Sequence, residues 1–382
     1  MNRLSCSVVA AGLASGALGA PESTWVYIGT YSTRGSEGIY VARMDLETGR
    51  LDPARAVASA GSPSFLAAHP TRPILYALHD GGPTRGEIRA FSIGPETGDL
   101  TELQRESVDG PVPCHLAVDA SASTLVSAIY RDGTVAVLPL DAQGGLLPRS
   151  QTLQHEGSGA HPKRQKGPHA HGVTFSPCNR YVFIPDLGID RIVGYRFDRE
   201  TGHLTAHESA TAATPPGAGP RHFAFHPDGR RAYSINELDS TLTVFAWNAE
   251  TGTLTPGATV STLPPGFEGV NHPAELQIHP SGRFLYASNR GQNNIVVFDL
   301  PADGDPRPVQ WIPSGGKSPR HFDLTPDSRF LLAAHQDTDD IFVFRVDPGT
   351  GRLASTEFSI RVPAPVCVLF RPAALPGASH DR

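Results

Sequence analysis

Charged residues are scarce in this 382-residue chain: Asp, Glu, Lys and Arg make up 18 % of it, and the formal net charge is −6. The sequence has no basic stripe of the kind that binds nucleic acid. It has no apolar run long enough to span a bilayer and no sustained helical periodicity. These absences argue against a nucleic-acid partner, a membrane protein and a helical fold.

Cysteine is also rare, and its positions exclude two kinds of scaffold. The four cysteines, Cys6, Cys114, Cys178 and Cys367, are too few and too widely spaced for a disulfide framework. No CxxC or CxxH spacing indicates zinc. The last three lie in or beside apolar segments, so we expect buried, unreactive thiols. No G-x-S-x-G motif is present, which argues against a covalent acyl-enzyme.

The first twenty residues differ from the rest. Arg3 precedes a mildly apolar stretch that ends in small residues before Pro21, a layout typical of a secretory signal peptide. A disordered Ala-rich leader or a misplaced start codon would look similar. We therefore predict a leader over 1–20, a folded domain over 21–375 and a flexible tail over 376–382. Export to the periplasm or medium is favoured slightly over the cytoplasm.

Turn-forming residues are abundant, since the chain contains 39 Gly and 35 Pro. They separate short alternating segments, a pattern that predicts many short β-strands. One such stretch, "GPRHFAFHPDGRRAYSINELDS" (219–240), recurs along the chain. Related copies are "PSFLAAHPTRPILYALHD", "PCHLAVDASASTLVSAIY", "AHGVTFSPCNRYVFIPDL", "PAELQIHPSGRFLYASNR" and "PRHFDLTPDSRFLLAAHQ".

The copies define anchor positions at Pro70, Ala120, Pro177, Pro227, Pro280 and Pro326, spaced by 50, 57, 50, 53 and 46 residues. A repeat of this length with four strands is typical of a propeller blade. The C-terminal "PVCVLFRP", anchored at Pro372, supplies one strand of a seventh blade, and the N-terminal "WVYIGTY" region supplies the others. The sequence predicts an all-β, seven-bladed β-propeller whose last blade is closed by both termini, which hides exposed edges.

Two positions of the repeat carry unusual residues. In a propeller, the start of each first strand and the end of each second strand meet at one mouth of the central channel. Six residues before the anchor lie His171, Arg221 and Arg320, and ten residues after it lie Glu237 and Arg290. We expect these five side chains to surround one pocket on blades three to six. One position inward, four further residues could assist them: Asp186, Asn236, Asn289 and His335.

An arginine at a strand end is commonly solvated or paired with a nearby carboxylate. Three guanidinium groups gathered at one channel mouth would instead repel one another unless an anion lies between them. Arginine suits bidentate binding of phosphate or carboxylate. The set therefore favours an anion site. The histidines one position further along, His115, His222 and His321, are expected to face the opposite side of the strand and to hydrogen-bond between blades.

A His-rich insertion, "HEGSGAHPKRQKGPHAHG" (155–172), precedes the third blade. His169 and His171 are spaced as some metal ligands are, but no carboxylate-rich partner set accompanies them, so a metal is the less favoured interpretation. We expect His161, Lys163, Arg164 and Lys166 to form a mobile, solvated loop that could cover an anionic ligand.

The motifs "HGVTFSP", "DLGIDRI", "GPRHFAFHP", "INELDSTLTVF" and "HPSGRFLYASNR" resemble the lactonase family of seven-bladed β-propellers, over residues 25–372. That family includes bacterial 6-phosphogluconolactonase and carboxymuconate-cyclising enzymes. The resemblance implies a site at His171, Arg221, Glu237 and Arg290, with Arg320 a weaker correspondence. It implies hydrolysis of a sugar lactone. Nothing in the sequence itself calls for a metal or organic cofactor. A cleaved leader would favour a lactone that is not phosphorylated.

The expected mechanism uses Glu237 or His171 to take a proton from water, while Arg221 and Arg290 hold the substrate's anionic group and the developing oxyanion. Arg320, His169 and the four assisting residues would contact substrate. Two alternatives remain: a carboxymuconate-type cyclising enzyme, and a non-catalytic binding module, since fold alone does not decide function. We expect a monomer whose partner is a small anionic lactone or sugar acid.

Overall fold

The computed structural model describes residues 23–80 and 85–372. The predicted leader over 1–20 and tail over 376–382 lie outside the described residues. The described chain forms seven sheets of antiparallel strands around a common channel, so the predicted seven-bladed propeller is confirmed. The single helix among these residues is a 3₁₀ turn over Glu208–Ala210. The described residues contain no helix that is long and apolar enough to cross a membrane.

The strands follow one another from the channel outward in each blade. The seventh blade orders them β29-β1-β2-β3, where the ranges are β1 Ser23–Thr30, β2 Ile39–Asp45, β3 Arg55–Ala58 and β29 Pro365–Pro372. Blade one contains β4 Leu66–Ala68, β5 Ile74–His79, β6 Glu87–Ile93 and β7 Leu100–Ser107. Blade two contains β8 Pro113–Val118, β9 Thr124–Ile129, β10 Thr134–Pro139 and β11 Gln151–Gln154. Blade three contains β12 Thr174–Phe175, β13 Tyr181–Asp186, β14 Arg191–Phe197, β15 Leu204–Ala206 and β16 Ala212–Ala213.

The remaining three blades are regular. Blade four contains β17 Pro220–Phe225, β18 Arg231–Asn236, β19 Thr241–Asn248 and β20 Thr253–Ser261. Blade five contains β21 His272–Ile278, β22 Phe284–Arg290, β23 Asn294–Asp299 and β24 Arg307–Pro313. Blade six contains β25 Pro319–Leu324, β26 Phe330–His335, β27 Asp340–Val346 and β28 Leu353–Arg361.

The ring closes because β29, from the C-terminal part of the chain, pairs antiparallel with β1, with Val26 opposite Phe370. This pairing supplies the inner strand of the seventh blade. It also satisfies backbone groups that an unpaired strand edge would expose.

Apolar side chains fill the spaces between neighbouring blades. One such cluster joins Tyr233 and Leu242 of blade four to Leu285 and Phe298 of blade five. Fully burying a side chain of this size contributes about 1.5–3 kcal/mol. Since these apolar clusters lie between neighbouring blades, their packing holds the ring together and leaves the channel for polar groups.

Tyrosines in several blades donate hydrogen bonds to the next blade. The Tyr76 hydroxyl donates to the carbonyl of Gly144 at 2.6 Å, and Tyr286 donates to Gly351 at 2.9 Å. Gly351 lies in a T-G turn and has φ of 68°, a left-handed conformation that glycine adopts without steric cost. The recurring T-G motif in the sequence therefore supplies both a turn and an acceptor between blades.

A β-bulge interrupts the inner strands of several blades near the channel mouth. The pairing register shifts between Pro113 and His115 and between Pro220 and His222, and again between Pro319 and His321. A bulge places two residues opposite one and redirects their side chains. It lies next to the predicted site positions, so it decides which of them face the channel.

Candidate functional site

A cavity of about 360 Å³ lies at one mouth of the channel. The repeat positions counted in the sequence supply most of its wall. From the position six before the anchor come Ser64, Cys114, His171 and Arg320. From the position ten after it come Tyr31, Asp80, Tyr130, Glu237 and Arg290. The volume lies within the range of small-molecule sites, roughly 300–1,000 Å³.

Larger grooves exist elsewhere on the described chain, and in the largest of those described two arginines are engaged locally. The groove of about 730 Å³ includes Arg231 and Arg283. Arg231 pairs with Asp228 at 2.8 Å, and Arg283 donates to the carbonyl of Gly349. The smaller channel cavity instead gathers basic, acidic and imidazole groups from separate blades, which makes it the better candidate site.

Glu237 is the centre of this cavity's charge network. Its carboxylate is 5 % exposed. Arg164 donates to Oε1 at 2.7 Å and Arg290 donates to Oε2 at 2.7 Å. Nε of Arg221 lies 3.2 Å from the same Oε2. Three guanidinium groups therefore surround one buried carboxylate.

This arrangement decides the charge of each member. Burial alone would raise the pKa of Glu237, but the attraction of Arg290, Arg221 and Arg164 holds it well below its usual range. Burial, together with repulsion from Arg320 and Arg290, lowers the pKa of Arg221 to about 9. At neutral pH the carboxylate is ionised and Arg221 still carries its charge.

Arg164 is the site residue that sequence reasoning placed elsewhere. We expected it in a solvated loop, but its guanidinium reaches the cavity and also donates to the Tyr130 hydroxyl at 3.1 Å. The neighbouring Gln165 is buried and donates to Asp190 at 2.6 Å and to the carbonyl of Leu187, which anchors the loop. The feature of the sequence that could have indicated Arg164 as a site residue is the basic composition of the insertion before blade three.

His171 presents a buried imidazole to the cavity. It is 4 % exposed, and its Nδ1 has no hydrogen-bond partner among the described residues. Burial, and then the charge of Arg221, lower its pKa well below the ordinary value. The ring is therefore neutral at pH 7 and retains a nitrogen lone pair. Its ring packs edge-on against Tyr130 at 5.4 Å.

Arg320 stands apart from the Glu237 network. Its guanidinium lies 5.3 Å from the ring centre of Tyr31, in a cation–π contact. Within residues 23–80 and 85–372 it forms no ion pair with a carboxylate. It therefore brings a positive charge to the cavity wall that no anion of the described chain neutralises.

His169 does not line the cavity. Its Nδ1 lies 2.8 Å from the carbonyl of Tyr130, and its ring stacks on the Tyr130 ring at 4.6 Å. His169 thus supports a residue of the cavity wall from behind. We find no group of three or more His, Cys, Asp or Glu arranged to hold a metal ion in the described part of the chain.

The four residues expected to assist the site lie within the blades instead. Because alternate strand residues face opposite sides, the neighbours of Glu237 and Arg290 turn away from the cavity. Asn236 donates to the hydroxyls of Thr241 and Thr243, both at 2.8 Å. Asn289 donates to the carbonyl of Thr262 at 3.0 Å.

Asp186 and His335 are placed in the same way. The carboxylate of Asp186 lies 2.6 Å from Nδ1 of His155 and accepts from the backbone N–H of His169. Nδ1 of His335 lies 2.9 Å from Asp340. These contacts join strands and loops, so the expectation that the four residues face the substrate pocket is corrected.

The histidines His115, His222 and His321 also differ from expectation. We expected them to face away from the channel, but the β-bulge turns them into it. His115 lies 5.0 Å from His222 and 4.0 Å from Phe65, measured between ring centres. His115 belongs to blade two and His222 to blade four, which are not neighbours in the ring, so these two side chains meet across the channel. Their expected hydrogen bonding to the next blade is present, since Val173 donates to His115 and Val368 to His321.

The cysteines are less uniformly buried than expected. Cys367 is 1 % exposed, whereas Cys114 and Cys178 are partly exposed. Cys114 lines the cavity. Burial raises the pKa of its thiol to about 12 even though Arg221 acts in the opposite direction, so the thiol stays protonated at neutral pH.

Comparison with known proteins agrees with this architecture. A family described as "Lactonase, 7-bladed beta-propeller" matches residues 25–370. The chain is similar to a 6-phosphogluconolactonase of Bacillus subtilis, at 36 % identity over 90 % of this chain and 97 % of that protein. It is also similar to a 6-phosphogluconolactonase of Formosa agariphila, at 31 % identity over 86 % of this chain and 94 % of the relative.

The chain is also similar to a solved structure over nearly its whole length. The periplasmic gluconolactonase PpgL of Pseudomonas aeruginosa superimposes with a TM-score of 0.87 at 35 % identity, over 93 % of this chain and 100 % of the other.

Proposed function

The chain belongs to the seven-bladed β-propeller lactonase family, and from this premise we propose that it hydrolyses a sugar lactone bearing an anionic group, of the 6-phosphogluconolactone type. One observation carries the proposal. A buried carboxylate held by three guanidinium groups, a fourth guanidinium without an ion-pair partner in the described chain, and a neutral imidazole line one small cavity.

The guanidinium groups suit the binding of an anionic lactone. Arg320 is not occupied by a carboxylate of the described chain, and the side chain of Arg164 is 35 % exposed. A phosphate or carboxylate of the substrate would accept hydrogen bonds from these two groups. Arg290 on the cavity wall and Arg221 in a small adjoining cavity are more deeply buried, and they would then face the lactone carbonyl. Each well-placed donor to the developing oxyanion contributes about 3–4 kcal/mol.

We assign the general base to His171 rather than Glu237. Both oxygens of Glu237 already accept from arginines, and its lowered pKa makes it a weak base. His171 lines the cavity, and because its lowered pKa keeps the imidazole neutral, one ring nitrogen retains a lone pair. An anionic substrate would offset the charge that the imidazole acquires beside Arg221.

The reaction follows from these roles. His171 removes a proton from water as the water oxygen bonds to the lactone carbonyl carbon, and the carbonyl oxygen becomes an oxyanion facing Arg221 and Arg290. The ring C–O bond then breaks as the carbonyl re-forms. The imidazolium returns its proton to the departing alkoxide, giving an open-chain hydroxy acid. General acid–base assistance of this kind contributes on the order of 10²–10⁴ in rate.

The test compares 6-phosphogluconolactone, gluconolactone and carboxymuconate as substrates of the purified protein. We expect hydrolysis of the phosphorylated lactone to be fastest and to fall at least tenfold in Arg320→Ala, with gluconolactone much less affected. Arg221→Ala and Glu237→Gln should reduce every lactonase rate. Arg230→Ala, an exposed arginine outside the cavity, is the matched control.

Three results would contradict the proposal. Conversion of carboxymuconate without lactone hydrolysis would indicate a cyclising enzyme. Identical rates in wild type, Arg221→Ala and Glu237→Gln would leave a binding module. Faster hydrolysis of gluconolactone than of its phosphate would assign the site to an unphosphorylated lactone.

A further inference from the structure

We propose that Glu275 and His222, at the floor of the cavity, act as positioning residues that hold the Arg221 guanidinium in its working orientation. The proposal rests on the proposed lactone hydrolysis, since it assigns Arg221 a part in that reaction. Neither residue contacts the space available to substrate in the larger cavity. Both act through the arginine.

The cluster that contains them closes the channel below the site. We call Phe65, His115, His222, Glu275 and His321 the central cluster. Glu275 is 6 % exposed, and its Oε2 lies 3.1 Å from Nδ1 of His222 and 3.3 Å from Nε2 of His321. That oxygen has no partner of full hydrogen-bond geometry in the described chain, so these two imidazole nitrogens are the polar groups placed to serve it. A buried carboxylate oxygen of this kind is costly unless the two imidazoles serve it.

The neighbours of each imidazole decide where its proton lies. Nδ1 of His321 accepts from the backbone N–H of Val368 at 3.2 Å, so its proton is on Nε2, facing Glu275. Nε2 of His222 lies 3.1 Å from Nη1 of Arg221. Arginine has donors only, so this nitrogen of His222 must accept and its proton must be on Nδ1, also facing Glu275.

Arg221 is then held from two sides at one nitrogen. Nη1 donates to the carbonyl of Ala274 at 2.6 Å and to Nε2 of His222. The opposite part of the guanidinium faces Glu237, with Nε 3.2 Å from its carboxylate. Glu275, His222, Arg221 and Glu237 thus form a continuous chain of contacts from the floor to the reacting space.

Removing the acceptor at position 275 should change the tautomer of His222. Without that acceptor, no group favours the tautomer that carries its proton on Nδ1. In the other tautomer its Nε2–H would oppose the Arg221 donor and push the guanidinium out of line. In metal sites, removing a residue that orients a ligand commonly lowers activity by about 10–100-fold. We expect a loss of activity of similar size when Glu275 is removed.

A double-mutant cycle tests this coupling. We compare kcat/KM for wild type, Glu275→Leu, Arg221→Ala and the double variant, with 6-phosphogluconolactone at pH 7. Glu275→Leu should reduce kcat/KM at least tenfold in the wild-type background and less than threefold once Arg221 is absent, because coupled residues are not additive. Glu275→Gln keeps an acceptor and should retain most activity. Asp323→Asn, at a half-buried carboxylate that accepts a hydrogen bond from Gln277, is the matched control.

Equal losses from Glu275→Leu in both backgrounds would overturn the proposal, since a residue that only stabilises the fold acts independently of Arg221. A second measurement needs no substrate and no variant at position 275. Long-range ¹⁵N–¹H NMR of histidine-labelled wild type, with His222 assigned by His222→Gln, should show the Nδ1–H tautomer. An Nε2–H tautomer at His222 would also refute the proposal. Failure of wild type to hydrolyse any lactone would refute the proposed function alone.

Discussion

Arg164 and Glu237 meet across the channel mouth, with 2.7 Å between Nη2 and Oε1, although 73 residues separate them in the chain. Arg164 comes from the insertion before blade three, whereas Glu237 ends the second strand of blade four. The contact joins a loop outside the repeat to the carboxylate that organises the site. It makes Arg164 the most accessible cation of the Glu237 network.

Replacing Arg164 by alanine should weaken substrate binding. A hydrogen bond to a charged group contributes about 1.5–3 kcal/mol, so we expect KM for 6-phosphogluconolactone to rise about 10–100-fold. Lys166→Ala, an exposed cation of the same loop, controls for a general loss of positive charge. An Arg164→Ala enzyme with unchanged steady-state KM would remove Arg164 from the site.

Replacing His171 by asparagine should reduce kcat by about 10²–10⁴-fold with little effect on KM, because a base acts in the transition state. The lowered pKa of His171 also predicts a pH profile. The base must be neutral, so kcat/KM of wild type should persist below pH 6.5, where an ordinary histidine becomes protonated. His203→Gln, exposed in a turn of blade three, is the control. A rate that halves at pH 6.5 would argue against His171 as the base.

Glu237→Gln should destabilise the protein by about 3 kcal/mol at pH 7, because it leaves buried guanidinium groups unpaired. The pKa of Glu237 is lower in the folded state than in the unfolded state. Its contribution is therefore fully present above the unfolded-state pKa of about 4.3, declines as the pH falls below that value, and is lost at the folded-state pKa.

Urea denaturation from pH 7 to pH 3 measures this dependence. The stability difference between wild type and Glu237→Gln should shrink as the pH falls below about 4.3. Inorganic phosphate should stabilise the variant more than wild type, since an anion that binds the folded state replaces the missing charge. A difference that stays constant with pH would exclude an ionised Glu237 as the source.

The raised pKa of Asp323 predicts that its contribution to the free energy of unfolding depends on pH in the opposite direction. Burial raises its pKa to about 7, so its contribution to stability is fully present below the unfolded-state pKa of about 3.9 and is lost as the pH rises through about 7. Asp323→Asn should therefore gain stability relative to wild type between pH 5 and pH 8. Thermal unfolding of wild type and Asp323→Asn at both pH values measures this change. The prediction would be refuted if the difference in Tm between the two proteins were the same at both.

Much of the site's placement could be read from repeat arithmetic. Equivalent positions in each blade occupy equivalent places around the ring, so counting from one anchor brought Arg221, Glu237, Arg290, Arg320 and His171 to one channel mouth. The structure places all five in or beside the cavity. Their catalytic roles remain predictions. Counting predicted these positions because each blade repeats the same strand pattern. Equivalent residues of the repeat therefore recur at equivalent places around the ring.

The same arithmetic was wrong where local geometry departs from regular strands. His222 and His321 follow a β-bulge, which turns side chains that simple alternation would place on the other face. Arg164 belongs to an insertion with no counterpart in other blades, so no column contained it. Asn236 and Asp186 were counted one position from the site, but their side chains bond within the protein.

By itself, the sequence determined the number of blades, the closure of the ring and the gathering of Arg221, Glu237, Arg290, Arg320 and His171 at one channel mouth, because these depend on short-range periodicity and turn chemistry. Tertiary structure alone decided which cations reach Glu237, where the imidazole protons lie and what closes the floor of the site. Those outcomes depend on side chains from separate blades and loops meeting at distances near 3 Å, and no pattern along the chain specifies contacts between residues so far apart in sequence.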